Sequence, residues 1–237
     1  MKKKLLILPL IILLLLGGAF AIYAGTYYHA DARALEALES DCTVRVREEK
    51  DGWFFDGPAE DCALIFYPGG KVEETAYAPL CRSLAENGFD VFLLKMPFNL
   101  AVFGKNRAEA VMNRFDYENW YLAGHSLGGV MAASFAAENA DRMKGIAMLA
   151  AYSINKLPAG LKVVSVYGSQ DEILKWENYE KNRGNLPATA FELVIVGGNH
   201  CQFGCYGFQK GDGQALISSE EQTEVTVQLI CQKFLGK

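Results

Sequence analysis

Hydrophobic and polar positions change their pattern twice along this chain of 237 residues. Leu5 to Ala24 is an uncharged, mostly apolar run of about twenty residues, near the length that spans a bilayer. From Ala30 to Ser40, Ala and Leu recur among charged residues at helical spacing, which predicts a short helix or stalk. Thr43-Val44-Arg45-Val46-Arg47 then alternates with period two, as a half-exposed strand does, and Gly52-Trp53-Phe54-Phe55 supplies its hairpin partner.

Beyond residue 62 the apolar runs become continuous, the mark of strands covered on both faces. Ala63 to Tyr67, Val91 to Leu94, Trp120 to Ala123, Ile146 to Ala150, Val163 to Tyr167 and Leu193 to Val196 are such runs. Helical patterns separate most of them, over Glu73 to Asn87, Ala101 to Phe115, Val130 to Ala137 and Glu172 to Lys181, and Glu220 to Leu235 closes the chain. Buried strands alternating with helices predict an α/β fold with a mainly parallel sheet, an antiparallel N-terminal edge and helices on both faces. With 51% hydrophobic residues and no interior break in composition, one globular domain is expected over 42–237, after a membrane or signal segment at 1–24 and a juxtamembrane stalk at 25–41.

Charge sharpens the N-terminal reading. Lys2, Lys3 and Lys4 precede the apolar run and hold that end inside, so the remainder is expected outside the cytoplasm. The favoured expectation is a single-pass anchor in the cell membrane; the alternative is secretion after cleavage at Ala19-Phe20-Ala21. The net charge of −5 becomes about −8 without the three lysines, which argues against nucleic acid as a partner. In an exported chain the six cysteines allow up to three disulfides. Cys201 and Cys205, separated by Gln202-Phe203-Gly204, are the expected pair, while Cys62 and Cys81 read as small buried apolar residues. The cysteine spacings match no zinc pattern, so no metal is expected.

In sheets of this kind, sites lie beyond the carboxyl ends of the strands. Pro68-Gly69-Gly70-Lys71 follows the first buried strand, and Gly124-His125-Ser126-Leu127-Gly128 lies between the Trp120 to Ala123 strand and an Ala-rich helix. The flanking glycines of that G-x-S-x-G sequence permit a sharp turn that projects the serine hydroxyl beyond the sheet. A serine hydroxyl needs a base, and the base needs an acid to orient it. Of three histidines, His29 belongs to the stalk and His125 fills the variable position of the pentapeptide, which leaves His200 after the last strand. Asp171, after the preceding strand, fits the chain order serine, acid, histidine, with Glu172 as the neighbouring alternative. An oxyanion would be held by the N–H of Leu127 and by one from the Pro68 to Lys71 loop, where Gly70 is preferred and Lys71 is the runner-up. This chemistry calls for no cofactor.

These residues resemble the α/β-hydrolase superfamily over about Thr43 to Leu235. Within it the chain is similar to small esterases and dienelactone-hydrolase-like enzymes, and Gly197-Gly198-Asn199-His200 through Gly211-Asp212-Gly213 resembles a group of membrane-anchored bacterial hydrolases. The resemblance implies an acyl-enzyme route acting on a small-molecule acyl substrate. Dienelactone hydrolases carry a cysteine where this chain has Ser126, so their own activity is not carried over. Tyr152 to Gly160 is too short for the helical lid that many lipases insert there. The stretch Cys201 to Ser218 is expected to border the pocket, with Lys71, Gln202, Phe203 and Tyr206 as candidate substrate contacts. An amidase, thioesterase or acyltransferase would use the same residues, and an inactive hydrolase fold would serve as a binding module.

Overall fold

The structure, a computed structural model, describes residues 2–58 and 61–237, the side chains of residues 2–8 excepted. The period-two segment becomes β1 (Arg45–Glu49), which pairs antiparallel with β2 (Gly52–Asp56). The continuous apolar runs become β3 (Cys62–Tyr67), β4 (Asp90–Leu94), β5 (Asn119–His125), β6 (Gly145–Leu149), β7 (Lys162–Gly168) and β8 (Phe191–Ile195). All eight form one sheet in the order β1-β2-β4-β3-β5-β6-β7-β8. β2 is antiparallel to β4, and every later pairing is parallel, as the alternation of strand and helix requires.

Strand side chains point to the two faces in turn, and both faces of β3 to β7 are covered, whereas β8 at the sheet edge leaves Val194 exposed, contrary to its expected burial on both faces. In β3, Leu64 and Phe66 pack with Leu80 and Leu84 of α3 (Ala78–Glu86) and with Ile230 and Phe234 of α7 (Ser219–Leu235). Ala63, Ile65 and Tyr67 pack on the opposite side with Val111 and Met112 of α4 (Arg107–Met112) and with Ala132, Phe135 and Ala136 of α5 (Leu127–Glu138). That is why β3 reads as an unbroken apolar run. Each large side chain buried there contributes about 1.5–3 kcal/mol, so the two layers dominate the stability of the sheet.

Two expected helices are interrupted. The Glu73 to Asn87 pattern begins as a 3-10 turn over Glu74–Tyr77 and becomes α3 only where Pro79 occupies the first turn, a position that needs no N–H. Ala101 to Phe115 divides into a 3-10 turn, Ala101–Phe103, and α4, with Gly104 between them. The helix of the expected stalk is five residues, α2 (Ala32–Glu36), capped by Asp31, whose carboxylate accepts the Ala34 N–H. From Tyr152 to Gly160 the link between β6 and β7 contains no helix.

The expectation of a transmembrane signal-anchor and a single-pass cell-membrane location is corrected: among the described residues, no helix is long and apolar enough to cross a membrane. The apolar run lies in α1 (Lys2–Gly25), which contains Pro9. The start of that run, Leu5 to Leu8, lies outside the described side chains. The helix has no N–H at Pro9 to add to its hydrogen-bond ladder. Its last turns also rest on the sheet domain rather than standing free. Phe20 packs edge-on against Phe98 and Phe103 at 5.3 and 6.0 Å, and Ala24 is buried.

After α1 the chain runs as a strap across two loops at the carboxyl edge of the sheet. The Tyr28 N–H donates to the Lys71 carbonyl at 2.8 Å, and the Glu73 N–H donates back to the Tyr28 carbonyl at 2.9 Å. Three residues on, the Asp31 N–H donates to the carbonyl of Cys205 at 2.9 Å. His29 pairs with Glu73 at 3.1 Å, and the Arg33 guanidinium reaches the Cys205 thiol at 2.7 Å and Glu220.

Candidate active site

Ser126 stands between β5 and α5 with φ 52° and ψ −125°, in the half of conformational space that L residues avoid. The fold leaves no other path for the backbone there. A Cβ on Gly124 would meet Gly128 at 2.8 Å, and one on Gly128 would meet the Pro68 and Tyr67 carbonyls at 2.2 and 2.3 Å. Strand, turn and helix therefore touch along their backbones, and the serine side chain is thrown outward at the helix N-terminus. The Ser126 N–H is held by the Leu149 carbonyl at 2.9 Å.

Among the described residues, Ser126 is one of five non-glycine residues with positive φ, the others being Lys71, Phe98, Asn99 and Ala150. They follow β3, β4, β5 and β6, so the strained backbone gathers at one edge of the sheet. Each such residue costs about 1–3 kcal/mol and persists only where its surroundings over-determine it.

Asp171 and His200 are brought together. The Asp171 Oδ2 accepts from His200 Nδ1 at 2.8 Å, and the residues are only 4% and 2% exposed. The other carboxylate oxygen accepts the Ile173 and Leu174 N–H groups at 2.9 and 2.8 Å, which fixes the plane of the acid. Glu172, the alternative acid, points to solvent. The loop that presents His200 is tied down by groups that sequence reasoning did not single out. Gln222, on α7, exchanges two hydrogen bonds with the Asn199 backbone at 3.0 and 2.9 Å. The Asp212 carboxylate accepts the Cys201 N–H at 2.8 Å and the Glu172 N–H at 3.3 Å, joining the base loop to the acid loop.

The loop after β3 lies against the elbow, since a Cβ on Gly70 would meet Leu127 Cδ2 at 2.9 Å. The Lys71 N–H is occupied by the Asn99 carbonyl at 2.7 Å, whereas the Gly70 N–H has no hydrogen-bond partner among the described residues. Leu127 opens α5, where the first N–H groups have no partner within the helix. Among the described residues, the elbow and the loop packed against it thus each carry an amide without a partner.

Of the candidate substrate contacts, Lys71 stays beside Gly70, with its ammonium 4.3 Å from the Tyr23 ring centroid. Phe203 and Tyr206 belong to the core: Phe203 lies 5.5 Å from the His125 ring, and Tyr206 packs at a tilt against Tyr28 at 5.4 Å. Gln202 faces a cavity of about 290 Å3 on the strap side of the base loop, walled by Asp31, Arg33, Asn199 and Cys205 and not by Ser126.

The expected Cys201–Cys205 disulfide is corrected, for all six cysteines are free. The two thiols are drawn to different partners, Cys205 to Arg33 and Cys201 to the Asn199 side chain at 3.6 Å. Burial pushes the Cys201 thiol up to about 11 and also raises that of Cys205. Neither is poised as a thiolate.

His125 differs most from its sequence reading. Set apart there only as the variable residue of the pentapeptide, it is wholly buried with its ring centroid 4.5 Å from that of His200, and its Nδ1 lies 2.8 Å from the Tyr77 hydroxyl. Tyr77 carried no signal in the sequence, because its role depends on a contact 48 residues away.

Comparison with known proteins agrees with this architecture. No curated protein matches the chain. Among solved structures, a predicted CIB-like hydrolase from Thermoplasma acidophilum has a TM-score of 0.59 at 14% identity, covering 79% of this chain and 98% of its own. Est1E from Butyrivibrio proteoclasticus has a TM-score of 0.57 at 16% identity, covering 82% and 100%. Carboxylesterase CesB from Bacillus subtilis has a TM-score of 0.57 at 11% identity, covering 86% and 95%. At such identities these likenesses speak for the fold alone. The sequence pattern described as the Alpha/beta hydrolase family matches residues 63–224, well over half of the chain, and the chain belongs to that family.

Proposed function

We propose that this chain is a serine hydrolase that cleaves small acyl esters, with residues 42–237 as the catalytic domain. The observation that carries the reading is the buried 2.8 Å bond between His200 Nδ1 and Asp171, at the same carboxyl edge of the sheet as a serine held on a strained elbow. Donating that bond from Nδ1–H leaves the His200 Nε2 lone pair as the base.

In this reading Ser126 Oγ attacks the ester carbonyl carbon as His200 Nε2 takes its proton. The carbonyl π electrons move to oxygen, and the Gly70 and Leu127 N–H groups hold the negative charge that forms there. Collapse of the intermediate breaks the carbon–oxygen bond, and His200 returns the proton to the departing alcohol. Water then repeats the sequence on the acyl-enzyme, releasing the acid and restoring Ser126. Asp171 holds the imidazole in one tautomer and stabilises its charged form. Lys71 lines the approach beside the oxyanion amides. The neighbours are in keeping with an ester substrate, one of them being a carboxylesterase and another, Est1E, having been seen with ferulic acid bound.

Incubation with a fluorophosphonate, followed by peptide mass spectrometry, tests the reading. The expected adduct is on Ser126, absent in Ser126→Ala, with turnover of p-nitrophenyl acetate by the unmodified chain. Esters, thioesters and amides of one acyl group, compared side by side, identify the bond class. A chain that takes no label at Ser126 and turns over none of the three ends the proposal.

A further inference from the structure

Three buried side-chain atoms have no hydrogen-bond partner among the described residues, and one of them, His125 Nε2, lies in the layer directly beneath the base. The bonds around that ring define its state. The Gly69 N–H donates to the Tyr77 hydroxyl oxygen at 3.0 Å. The tyrosine's own proton is then free to be donated to His125 Nδ1, 2.8 Å away. An Nδ1 that accepts carries no proton, so the imidazole proton sits on Nε2 and the ring is neutral. Burial and the neighbouring His200 both keep the His125 pKa well below the usual histidine value.

The pair also supports the loop above it. A Cβ on Gly69 would stand 2.6 Å from the Tyr77 oxygen and 2.9 Å from His125 Nδ1, so the Gly69 backbone rests on the two groups. Gly69 precedes Gly70, the peptide whose N–H is free. On the other face the His125 ring meets His200. One buried pair therefore touches the oxyanion loop from below and the base from the side.

Resting on the serine-hydrolase reading above, we propose that Tyr77 and His125 are positioning residues for its reaction. Neutral His125 fixes the Tyr77 hydroxyl in one orientation, and that hydroxyl fixes the Gly69 amide so that the next N–H, on Gly70, meets the oxyanion. The His125 ring forms the wall that keeps His200 in its rotamer. Neither residue touches substrate.

The test compares Tyr77→Phe, which removes only an oxygen, with His125→Phe, which keeps a ring but no acceptor, and His125→Asn, whose side-chain oxygen can stand where Nδ1 was. Each is assayed for kcat and KM on p-nitrophenyl acetate, for affinity to a trifluoromethyl ketone and for melting temperature. A misplaced oxyanion donor predicts that Tyr77→Phe and His125→Phe each lower kcat about 10- to 100-fold. KM should stay within about twofold, and affinity for the ketone should fall in parallel with kcat, because that ligand forms the oxyanion adduct. His125→Asn should recover part of the loss. If Tyr77→Phe does not fold, the contrast between the two His125 variants decides alone. Folded variants with the kcat of the unmodified chain, or an Asn variant no better than Phe, overturn the proposal. An unmodified chain without fluorophosphonate labelling at Ser126 instead overturns the serine-hydrolase reading.

Discussion

The backbone N–H of Lys71 is committed to the carbonyl oxygen of Asn99, 2.7 Å away, and this bond separates the two candidates for the second oxyanion donor. A donor already engaged in a short bond has to break it before it can serve a transition state, which defeats preorganisation. Gly70 carries no such bond among the described residues. Gly70→Ala should lower kcat by about 10²-fold or more, since the new methyl also meets Leu127 Cδ2 at 2.9 Å. Lys71→Ala leaves every backbone amide in place and should keep kcat within about threefold. Steady-state kinetics on p-nitrophenyl acetate checks both, and a larger kcat loss in Lys71→Ala would reverse the assignment.

The triad variants differ in stability as well as rate. Ser126→Ala and His200→Ala should remove nearly all turnover with the fold retained, and Asp171→Asn should lose about 10⁴ in kcat through the wrong histidine tautomer. Ser126→Gly should be equally inactive yet more stable than Ser126→Ala by about 0.5–1 kcal/mol, because glycine accepts φ 52° without strain and loses part of that gain in chain entropy. Urea unfolding of the two variants measures the difference. Equal midpoints would mean that the elbow stores no strain.

Neutral, buried His125 makes stability depend on pH with a definite sign. The unfolded imidazole takes up a proton near pH 6.5, whereas the folded one does so only well below that value. Between the two, the unfolded state binds more protons. The contribution is complete above about pH 6.5 and is lost as pH falls, at up to about 1.4 kcal/mol per pH unit. Urea midpoints from pH 7.5 to 5 should therefore fall more steeply for the unmodified chain than for His125→Asn. Parallel curves would show that His125 titrates normally.

Substrate size follows from what the link between β6 and β7 lacks. Each buried methylene contributes about 0.8 kcal/mol, but only where a surface exists to receive it. Residues 152–160 form no helix that could build one. In a series of p-nitrophenyl esters, kcat/KM should fall beyond roughly six to eight acyl carbons. A preference for long-chain emulsified esters would contradict this.

The sheet was legible because strands buried on both faces cannot hide polar residues: Ala63 to Tyr67 and Ile146 to Leu149 have no face on which to place them. Ser126, Asp171 and His200 could be nominated because parallel strands all end at one edge, so residues distant in sequence are gathered by topology alone. Tyr77 and Gln222 could not, since a tyrosine or glutamine in an amphipathic stretch looks the same whether its polar end meets water or a loop. The N-terminal reading erred in a different way. Hydropathy registers that Phe20 and Ala24 are apolar, but not that part of their surface is already taken up by Phe98, Phe103 and the adjoining domain.

The strap from Tyr28 to Arg33 makes the start of the chain mechanically part of its catalytic edge. Its hydrogen bonds to Lys71 and Glu73 hold the loop after β3, and those to Cys205 hold the loop that follows His200, like a stitch across a seam. A load applied to the N-terminus would be borne first by these few bonds and only later by the sheet, whose strands are joined along their whole length. The loops on either side of Ser126 would then part while the core remained folded. Where this chain is cut, fused or tethered ahead of residue 34 thus bears directly on how the loops of Gly70 and His200 are held, even though no residue of the strap belongs to the proposed triad.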